Sequence, residues 1–339
     1  MLMKYLLYIS AAFSLLFLTA ASPSALGQSK TVKKKVVNRY NISLIPQPDG
    51  SFKVDKRTTQ LLDGAKPEGF FEPYKSEPFI TSDAIAGVPC EELVYKTYPD
   101  RKLILYICKA LDAEGPTPLV FHIHGGGWKN GHPKGFVPKL KYIAKYTGLA
   151  AVSVQYSVIG QTDVDISVTM KDLHDAVQFL RDHAAEYNLD MTRIAFAGHS
   201  AGGPLSAMMA MTEPDAKVLS GWAGPYDMAR LLEYWSGGSK PDVRHYFFDC
   251  KPRMLRKYSP VCLVPKKRQV AVQLFQGTCD GLVHYSQAQD FEKALKKAGQ
   301  KTVECNIYPY YGHGLTGGSD KAGECFFKFI DFVKEHIYD

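Results

Sequence analysis

The sequence has few cysteines, and they follow no recognisable pattern. Seven occur in 339 residues, an odd number at irregular spacing, with no Cys-x-x-Cys pair and no zinc-like cluster. This argues against a structural zinc site and against a framework of disulfides. A bridge between Cys250 and Cys262 is an open alternative. Buried free thiols are the simpler interpretation.

Charge of either sign is also limited. Charged residues make up 22% of the chain and hydrophobic residues 45%, with a formal net charge of +7, as in ordinary globular proteins. Much of the positive charge lies in two runs, Lys30 to Arg39 and Lys251 to Arg268, without a nucleic-acid-binding motif. We therefore expect solvated basic loops and no nucleic-acid partner. The sequence also lacks internal repeats and a Gly-x-x-x-x-Gly-Lys-Ser phosphate loop.

The chain begins with a short basic leader and an apolar run from Tyr5 to Ala21, followed by small residues. This arrangement predicts a secretory signal peptide over residues 1–27, cut after Gly27 or alternatively after Ala20 or Ala21. The run is at the short edge of what spans a bilayer, so an uncleaved anchor is the alternative. We expect a secreted or periplasmic protein with no stable membrane insertion after cleavage.

From residue 91 onward, strand-like and helix-like segments alternate, whereas residues 28–86 show no clear period and form an N-terminal extension. Several strand-like runs are continuously apolar, as in strands covered by helices on both faces. We therefore predict one α/β domain over residues 87–339, with a mostly parallel eight-stranded sheet and helices on both faces. A turn at 99–102 indicates an antiparallel hairpin between the first two strands. The predicted strands are 91–98, 103–109, 117–123, 149–156, 193–198, 217–222, 270–276 and 302–309, and the predicted helices are 171–186, 286–298 and 322–337.

A long connection over residues 225–268 interrupts the alternation between two strands. Connections of this length are usually functional or poorly ordered. Its aromatic content favours a lid-like or substrate-binding element. The aromatic residues are Tyr226, Tyr234, Trp235, Tyr246, Phe247 and Phe248.

Two glycine-rich segments follow apolar strands, residues 122–128 (HIHGGGW) and residues 198–203 (GHSAGG). In the second, Ser200 stands between a strand and a helix-like run, the setting in which Gly-x-Ser-x-Gly marks an exposed nucleophile on a strained turn. In the first, Gly126 and Gly127 end a strand, so their backbone N–H groups, with that of Ala201, are candidates for an oxyanion hole. Together the segments predict acyl-transfer chemistry.

A serine nucleophile needs a base to remove its proton. His313 follows the last predicted strand, where a loop can bring it over the edge of the sheet, and it is our candidate. His284 and His199 are rivals. His199 directly precedes the nucleophile, so we expect its side chain to point away from the nucleophile's face.

The base in turn needs an acid to orient it. Asp280 lies on the segment after a predicted strand and is the candidate, while Asp227 and Asp249 lie in the insert and are simpler to interpret as solvated carboxylates. The chain order of serine, aspartate and histidine is the one expected of an α/β-hydrolase.

From about residue 88 to its end, the chain resembles α/β-hydrolases of the carboxylesterase group, close to hormone-sensitive-lipase-like enzymes. Within that group it is similar to bacterial esterases that act on acetyl or feruloyl groups of plant polysaccharides. Ser157 stands where arginine is usual, and His199 stands where the lipase-like branch has aspartate. The resemblance rests on residues 124–128, 198–203, Asp280, 312–314, the segment 188–194 and Tyr156.

The resemblance implies a serine carboxylesterase that needs no metal or cofactor and takes a small-molecule or oligosaccharide ester. We expect substrate contacts from the aromatic residues Trp128, Tyr156, Tyr226 and Trp235. A serine amidase or peptidase, or an arylformamidase-like hydrolase, on the same fold is an alternative. A non-catalytic glycan-binding protein is another. Neither the oligomeric state nor the acyl group follows from the sequence.

Overall fold

The computed structural model describes residues 35–235 and 241–339. The predicted signal peptide, the start of the extension and part of the insert lie outside the described residues. The strands are β1 (Val36–Val37), β2 (Ser43–Pro46), β3 (Phe52–Val54), β4 (Glu91–Thr97), β5 (Lys102–Cys108), β6 (Thr117–Ile123), β7 (Ala150–Val154), β8 (Leu189–His199), β9 (Ala216–Trp222), β10 (Ala271–Gly277) and β11 (Val303–Tyr308). The helices are α1 (Lys56–Leu61), α2 (Val137–Tyr146), α3 (Ile166–Asp182), α4 (Ala184–Tyr187), α5 (Gly202–Thr212), α6 (Met228–Tyr234), α7 (Pro241–Tyr246), α8 (Pro252–Lys257), α9 (Ser286–Lys297) and α10 (Ala322–His336).

The main sheet has eight strands within the described residues, in the order β11-β10-β9-β8-β6-β7-β5-β4. The six strands from β11 to β7 run parallel to one another. β5 is antiparallel to both β7 and β4, so the predicted hairpin at this edge is present. The predicted mostly parallel, eight-stranded sheet is therefore confirmed.

Helices cover both faces of this sheet. All seven residues of β6 are buried, and alternate side chains enter two separate hydrophobic clusters because successive side chains of a strand point to opposite faces. Phe121 belongs to the cluster that includes Leu173 of α3, and Val120 belongs to the cluster that includes Phe329 of α10. The continuous apolar runs of the sequence are thus explained by burial on both sides.

The helix predicted over 171–186 is longer at its start and interrupted near its end. α3 begins at Ile166 because the side chain of Asp165 accepts hydrogen bonds from two backbone N–H groups of the first turn. The chain then leaves the helix at His183 and forms the short α4. The local cap, rather than the apolar period, sets the first boundary.

The described part of the N-terminal extension, residues 35–86, contains regular secondary structure, which the sequence pattern does not predict. β1, β2 and β3 form a small antiparallel sheet followed by α1. The buried Asn38 organises it: its Oδ1 accepts from the N–H groups of Tyr40 and Ile42, each at 3.0 Å, and its Nδ2 donates to the carbonyl of Phe70 at 2.7 Å. Strands of two to four residues held by such side-chain bonds leave no period in the sequence.

The insert over 225–268 consists of α6, α7 and α8 with short 3₁₀ turns at 248–250 and 260–262. Tyr246 and Phe247 are buried against Trp128, which follows the first glycine-rich segment. All seven cysteines are unpaired, so the alternative of a bridge between Cys250 and Cys262 is wrong. Across the described part of the chain, no helix has the length and apolar character needed to cross a membrane.

Candidate active site

Ser200 lies at a sharp turn between β8 and α5. β8 ends at His199, α5 begins at Gly202, and Ser200 has a φ of +56°, a strained conformation for a residue with a side chain. A Cβ on Gly198 would lie 2.3 Å from the carbonyl oxygen of Gly202, and a Cβ on Gly202 would lie 2.1 Å from that of Ile123. Larger residues are therefore excluded at both glycine positions, and the backbone can make this turn only with glycine there.

Ser200 is joined by hydrogen bonds to a histidine and an aspartate. Its Oγ lies 2.7 Å from Nε2 of His313, and Nδ1 of His313 lies 2.7 Å from Oδ2 of Asp280. Asp280 is on the loop after β10, and His313 is on the loop after β11. Because a carboxylate only accepts, Nδ1 of His313 donates to it, which leaves Nε2 free to accept from the serine hydroxyl. In this arrangement the histidine can act as a base towards the serine.

The carboxylate of Asp280 is fully buried and surrounded by donors. Its Oδ1 accepts from the backbone N–H groups of Leu282 and Val283, each at 2.9 Å. Its Oδ2 accepts from Nε2 of Gln276 at 2.9 Å as well as from His313. These four donors hold the carboxylate in one orientation, and the carboxylate in turn fixes the imidazole ring.

The glycine segment after β6 passes directly against Ser200. A Cβ on Gly125 would lie 3.1 Å from the Cβ of Ser200. Gly126 has a φ of +126°, and a Cβ there would lie 2.0 Å from a backbone oxygen, so the tight bend after the strand requires glycine. Gly126, Gly127 and Ala201 line the same cavity as Ser200. Their role as oxyanion donors stays a prediction.

A cavity of about 790 Å³ opens in front of Ser200. One part of its wall is aromatic: the rings of Trp128 and Trp235 lie 6.3 Å apart, and the indole N–H of Trp235 donates to a backbone carbonyl at 2.8 Å. Another part comes from α2 and the turn before it, with Phe136 and Lys139. The volume is in the range of sites that enclose a small organic molecule.

Residues 105–295 of the chain, more than half of its length, match the family model described as BD-FAE. The chain belongs to the BD-FAE family. The matched residues include Ser200 and Asp280 and end before His313. The position of the histidine in this BD-FAE protein therefore rests on the geometry given above.

Esterases are among the solved structures and curated proteins similar to this BD-FAE protein. The apo form of esterase 2 from Thermogutta terrifontis has a TM-score of 0.63 and 25% identity, over 74% of this chain and 95% of that one. An esterase from Gibberella moniliformis is 32% identical over 34% of this chain and 36% of its own length. The probable carboxylic ester hydrolase LipM from Mycobacterium tuberculosis is 26% identical over 66% of this chain and 56% of its own length. These comparisons confirm the α/β-hydrolase fold and the resemblance to esterases, although the chain spans only part of the curated relatives.

In the BD-FAE protein, the alternative base and acids make other contacts. Nδ1 of His284 lies 2.9 Å from Oγ of Ser286. Asp227 caps the first turn of α6, where its side chain accepts from two backbone N–H groups. Asp249 is exposed in the insert. The structure therefore brings His313 and Asp280 to Ser200 and leaves these three elsewhere.

The expectation that His199 points away from the site is wrong. Its Nε2 lies 2.7 Å from the carbonyl oxygen of His313, its ring centroid lies 4.9 Å from that of His313, and it lines the cavity. Burial, with a smaller effect from His313, lowers the pKa of His199 to about 4. The ring is therefore neutral at pH 7, and because a carbonyl only accepts, Nε2 carries the proton and donates. His199 thus anchors the loop that carries the candidate base.

Two of the four predicted substrate contacts lie in the core instead of the cavity. Tyr156 is buried, its hydroxyl donates to the carbonyl of His124 at 2.8 Å, and its ring stacks on the imidazole of His124 at 4.3 Å. Tyr226 is buried and stacks on Phe291 at 4.7 Å. Tyr156 therefore stabilises the start of the glycine segment from the core side through its contacts with His124. Tyr226, at the start of the insert, packs against α9 through Phe291. The other two predicted contacts, Trp128 and Trp235, line the cavity.

The N-terminal extension braces the loop of His313. The N–H of Gly312 donates to the carbonyl of Tyr40 at 2.8 Å, and the rings of Tyr40 and Tyr311 lie 4.9 Å apart. None of the described residues in 35–86 lines the cavity. The described part of the extension therefore supports the site from outside the cavity.

Sequence reasoning overlooked part of the cavity wall, in particular His122 and Lys139. The ring of His122 stacks on Phe136 with centroids 3.5 Å apart, and its Nδ1 lies 2.9 Å from Oγ of Ser153. An imidazole inside a strand that is buried along its whole length was an available signal of a site. Within residues 35–235 and 241–339, no cluster of histidine, cysteine, aspartate or glutamate has an arrangement suited to a metal ion.

Proposed function

We propose that this protein is a serine esterase that cleaves carboxylic esters, with Ser200 as nucleophile, His313 as base and Asp280 as the orienting acid. The observation that carries the proposal is the continuous hydrogen-bonded chain from Ser200 Oγ through His313 to Asp280, at the wall of the cavity. A strained serine, a correctly oriented imidazole and adjacent glycine backbone are the parts that acyl transfer needs.

The proposed reaction has two halves. His313 removes the proton of Ser200 as its Oγ attacks the ester carbonyl, and the N–H groups of Gly126, Gly127 and Ala201 receive the oxyanion. The protonated imidazole then gives its proton to the leaving alcohol. Water, deprotonated by the same histidine, releases the acid from the acyl-enzyme. Each oxyanion donor is worth about 10²–10³ in turnover.

The substrates we propose are acetyl or feruloyl esters of plant polysaccharide fragments, met outside the cytoplasm if the N-terminal segment acts as a signal peptide. The wall formed by Trp128 and Trp235 suits a feruloyl ring or the face of a sugar. A short acyl group has support from Thermogutta terrifontis esterase 2, which is similar to this chain and has been solved with butyrate bound.

The test is the Ser200→Ala variant assayed against 4-nitrophenyl esters of increasing acyl length, with acetylated and feruloylated xylan fragments as the second set. Turnover should fall by about 10⁶ in the folded variant. Ser286→Ala is the matched control, because it removes the hydroxyl beside the rival His284 and should leave turnover unchanged. Turnover retained in Ser200→Ala would exclude the mechanism. Faster turnover of matched amides than of esters would replace the esterase with an amidase.

A further inference from the structure

The cavity contains a lysine and no acidic group to pair with it. Among the described residues that line the cavity, Lys139 of α2 is present, and none is aspartate or glutamate. Burial lowers the pKa of His122 well below its ordinary value and that of His124 to about 4, so both rings are neutral at pH 7. Lys139 therefore gives this part of the wall its positive charge.

The ammonium group of Lys139 is held without a counterion. Its Nζ lies 5.2 Å from the ring centroid of Phe79 and 5.3 Å from that of Phe136. No carboxylate of the described residues pairs with it, and burial lowers the pKa of Lys139 below its ordinary value. Contacts with aromatic rings stabilise an ammonium group only modestly, whereas withdrawing that group from water without a paired anion is unfavourable.

Lys139 lines the same cavity as Ser200 and His313. It helps to lower the pKa of His122 and that of His199, and His199 touches the loop of His313. Phe136, one of the two rings near the Lys139 ammonium group, is itself stacked on the ring of His122. An unpaired cation in the wall of the cavity that also contains the nucleophile is a site for one negative charge on the bound molecule.

We propose that Lys139 is a specificity-determining residue that binds a carboxylate of the substrate. This inference rests on the proposed esterase function and adds that the preferred ester carries a carboxylate, in its acyl or its alcohol portion. A carboxylate fits better than a phosphate, because a single lysine balances one negative charge and phosphate sites usually combine several donors. The carboxylate supplies the partner that the chain itself does not provide.

Two matched pairs of esters test the proposal. The mono-4-nitrophenyl ester of adipic acid, compared with its methyl-capped form, places the charge on the acyl side. 4-Acetoxybenzoate, compared with its methyl ester, places it on the alcohol side. In at least one of the two pairs we expect the native protein to prefer the charged ester. Lys139→Met, which keeps an unbranched apolar stem, should lower that preference by about 10- to 100-fold, mainly through KM. Lys139→Arg should retain most of it.

Lys145→Met is the control, because Lys145 lies on the same helix and is exposed, with its Nζ on the carbonyl of Ala84. It should leave the preference unchanged. The preference should also decrease as salt is raised, since screening weakens the ion pair. A preference confined to one pair would locate the carboxylate on that side of the ester. No preference in either pair, or one that survives in Lys139→Met, would overturn the proposal.

Binding to the Ser200→Ala variant separates this proposal from the esterase function. Calorimetric titration of the charged and capped esters into Ser200→Ala should show tighter binding of the charged form, and adding Lys139→Met should abolish the difference. If the native protein hydrolyses neutral esters without a preference for charge, the role of Lys139 fails and the esterase stands. If no ester is hydrolysed but the binding difference is present, the esterase fails and the carboxylate site stands.

Discussion

Replacing Asp280 with asparagine tests the proposed catalytic chain at its most constrained point. Both N–H groups that reach Oδ1, those of Leu282 and Val283, come from the backbone and cannot move away. The amide oxygen of Asp280→Asn therefore stays with them, and its NH₂ group takes the place of Oδ2. There it faces two groups that donate in the native protein, Nε2 of Gln276 and Nδ1 of His313.

The new amide group forces a change of tautomer. Nδ1 of His313 can meet an NH₂ group only as an acceptor, so the proton moves to Nε2. Nε2 then faces the hydroxyl of Ser200 at a hydrogen-bond distance but can no longer accept its proton. Loss of the base by this route lowers kcat by about 10⁴, which corresponds to about 5 kcal/mol of transition-state stabilisation.

The assay is the initial rate of 4-nitrophenyl acetate hydrolysis at saturation, with Ser200→Ala as the baseline and circular dichroism to confirm folding. Asp227→Asn is the control, because Asp227 was the alternative acid and asparagine also caps a helix well. We expect Asp227→Asn to keep at least half of the native kcat. A kcat above a tenth of the native value in Asp280→Asn would refute the tautomer argument, and so would an equal loss in Asp227→Asn.

The remaining predictions concern stability. Gly202→Ala places a Cβ 2.1 Å from the carbonyl oxygen of Ile123, so the Tm of this variant should be lower than the native Tm by several degrees or more. Gly115→Ala is the control, because a Cβ there meets nothing within 4 Å and should change the Tm little. Equal effects of the two variants in thermal melts would contradict the close approach at Gly202. Burial lowers the pKa of His122 and lowers that of His124 to about 4, so between about pH 6.5 and 4 the unfolded chain binds more protons than the folded one. The free energy of unfolding should therefore decrease on acidification through this window. In His122→Gln the slope of that decrease should be smaller by up to about 1.4 kcal/mol per pH unit. An unchanged slope, measured by urea titrations at several pH values, would show that His122 is not kept neutral by burial.

The sheet and the turn at Ser200 could be predicted from sequence because their causes are local. A strand buried on both faces must be apolar along its length, as β6 is, and this shows in any window of the sequence. The turn needs glycine at 198 and 202 because neighbouring backbone lies within 2.3 Å of where a Cβ would be. Because these steric requirements apply to single positions at a fixed spacing, they are visible in the sequence as a motif.

The supports of the site could not be predicted, because they join distant parts of the chain. The hydroxyl of Tyr156 holds the carbonyl of His124, and the carbonyl of Tyr40 holds the N–H of Gly312. In each case one of the two residues belongs to a sequence motif and the other does not. Which residue contacts the motif is determined only by the fold. From the sequence alone Tyr156 is predicted to contact the substrate, whereas in the structure its side chain faces the core.

The proposed role of Lys139 is even harder to predict from the sequence, because it depends on the lack of a paired carboxylate among the described residues. In the sequence Lys139 is one of 41 lysines and arginines, and any of them is simplest to interpret as a solvated charge. Only the arrangement of α2 against the cavity shows that the described residues offer this one no carboxylate. The proposed reaction uses motifs at strand ends, whereas the wall proposed to select among esters comes from α2 and the insert, which lie far apart in the chain. Family membership is therefore a better guide to the type of reaction than to the substrate. The charge of the preferred ester has to be measured on this protein.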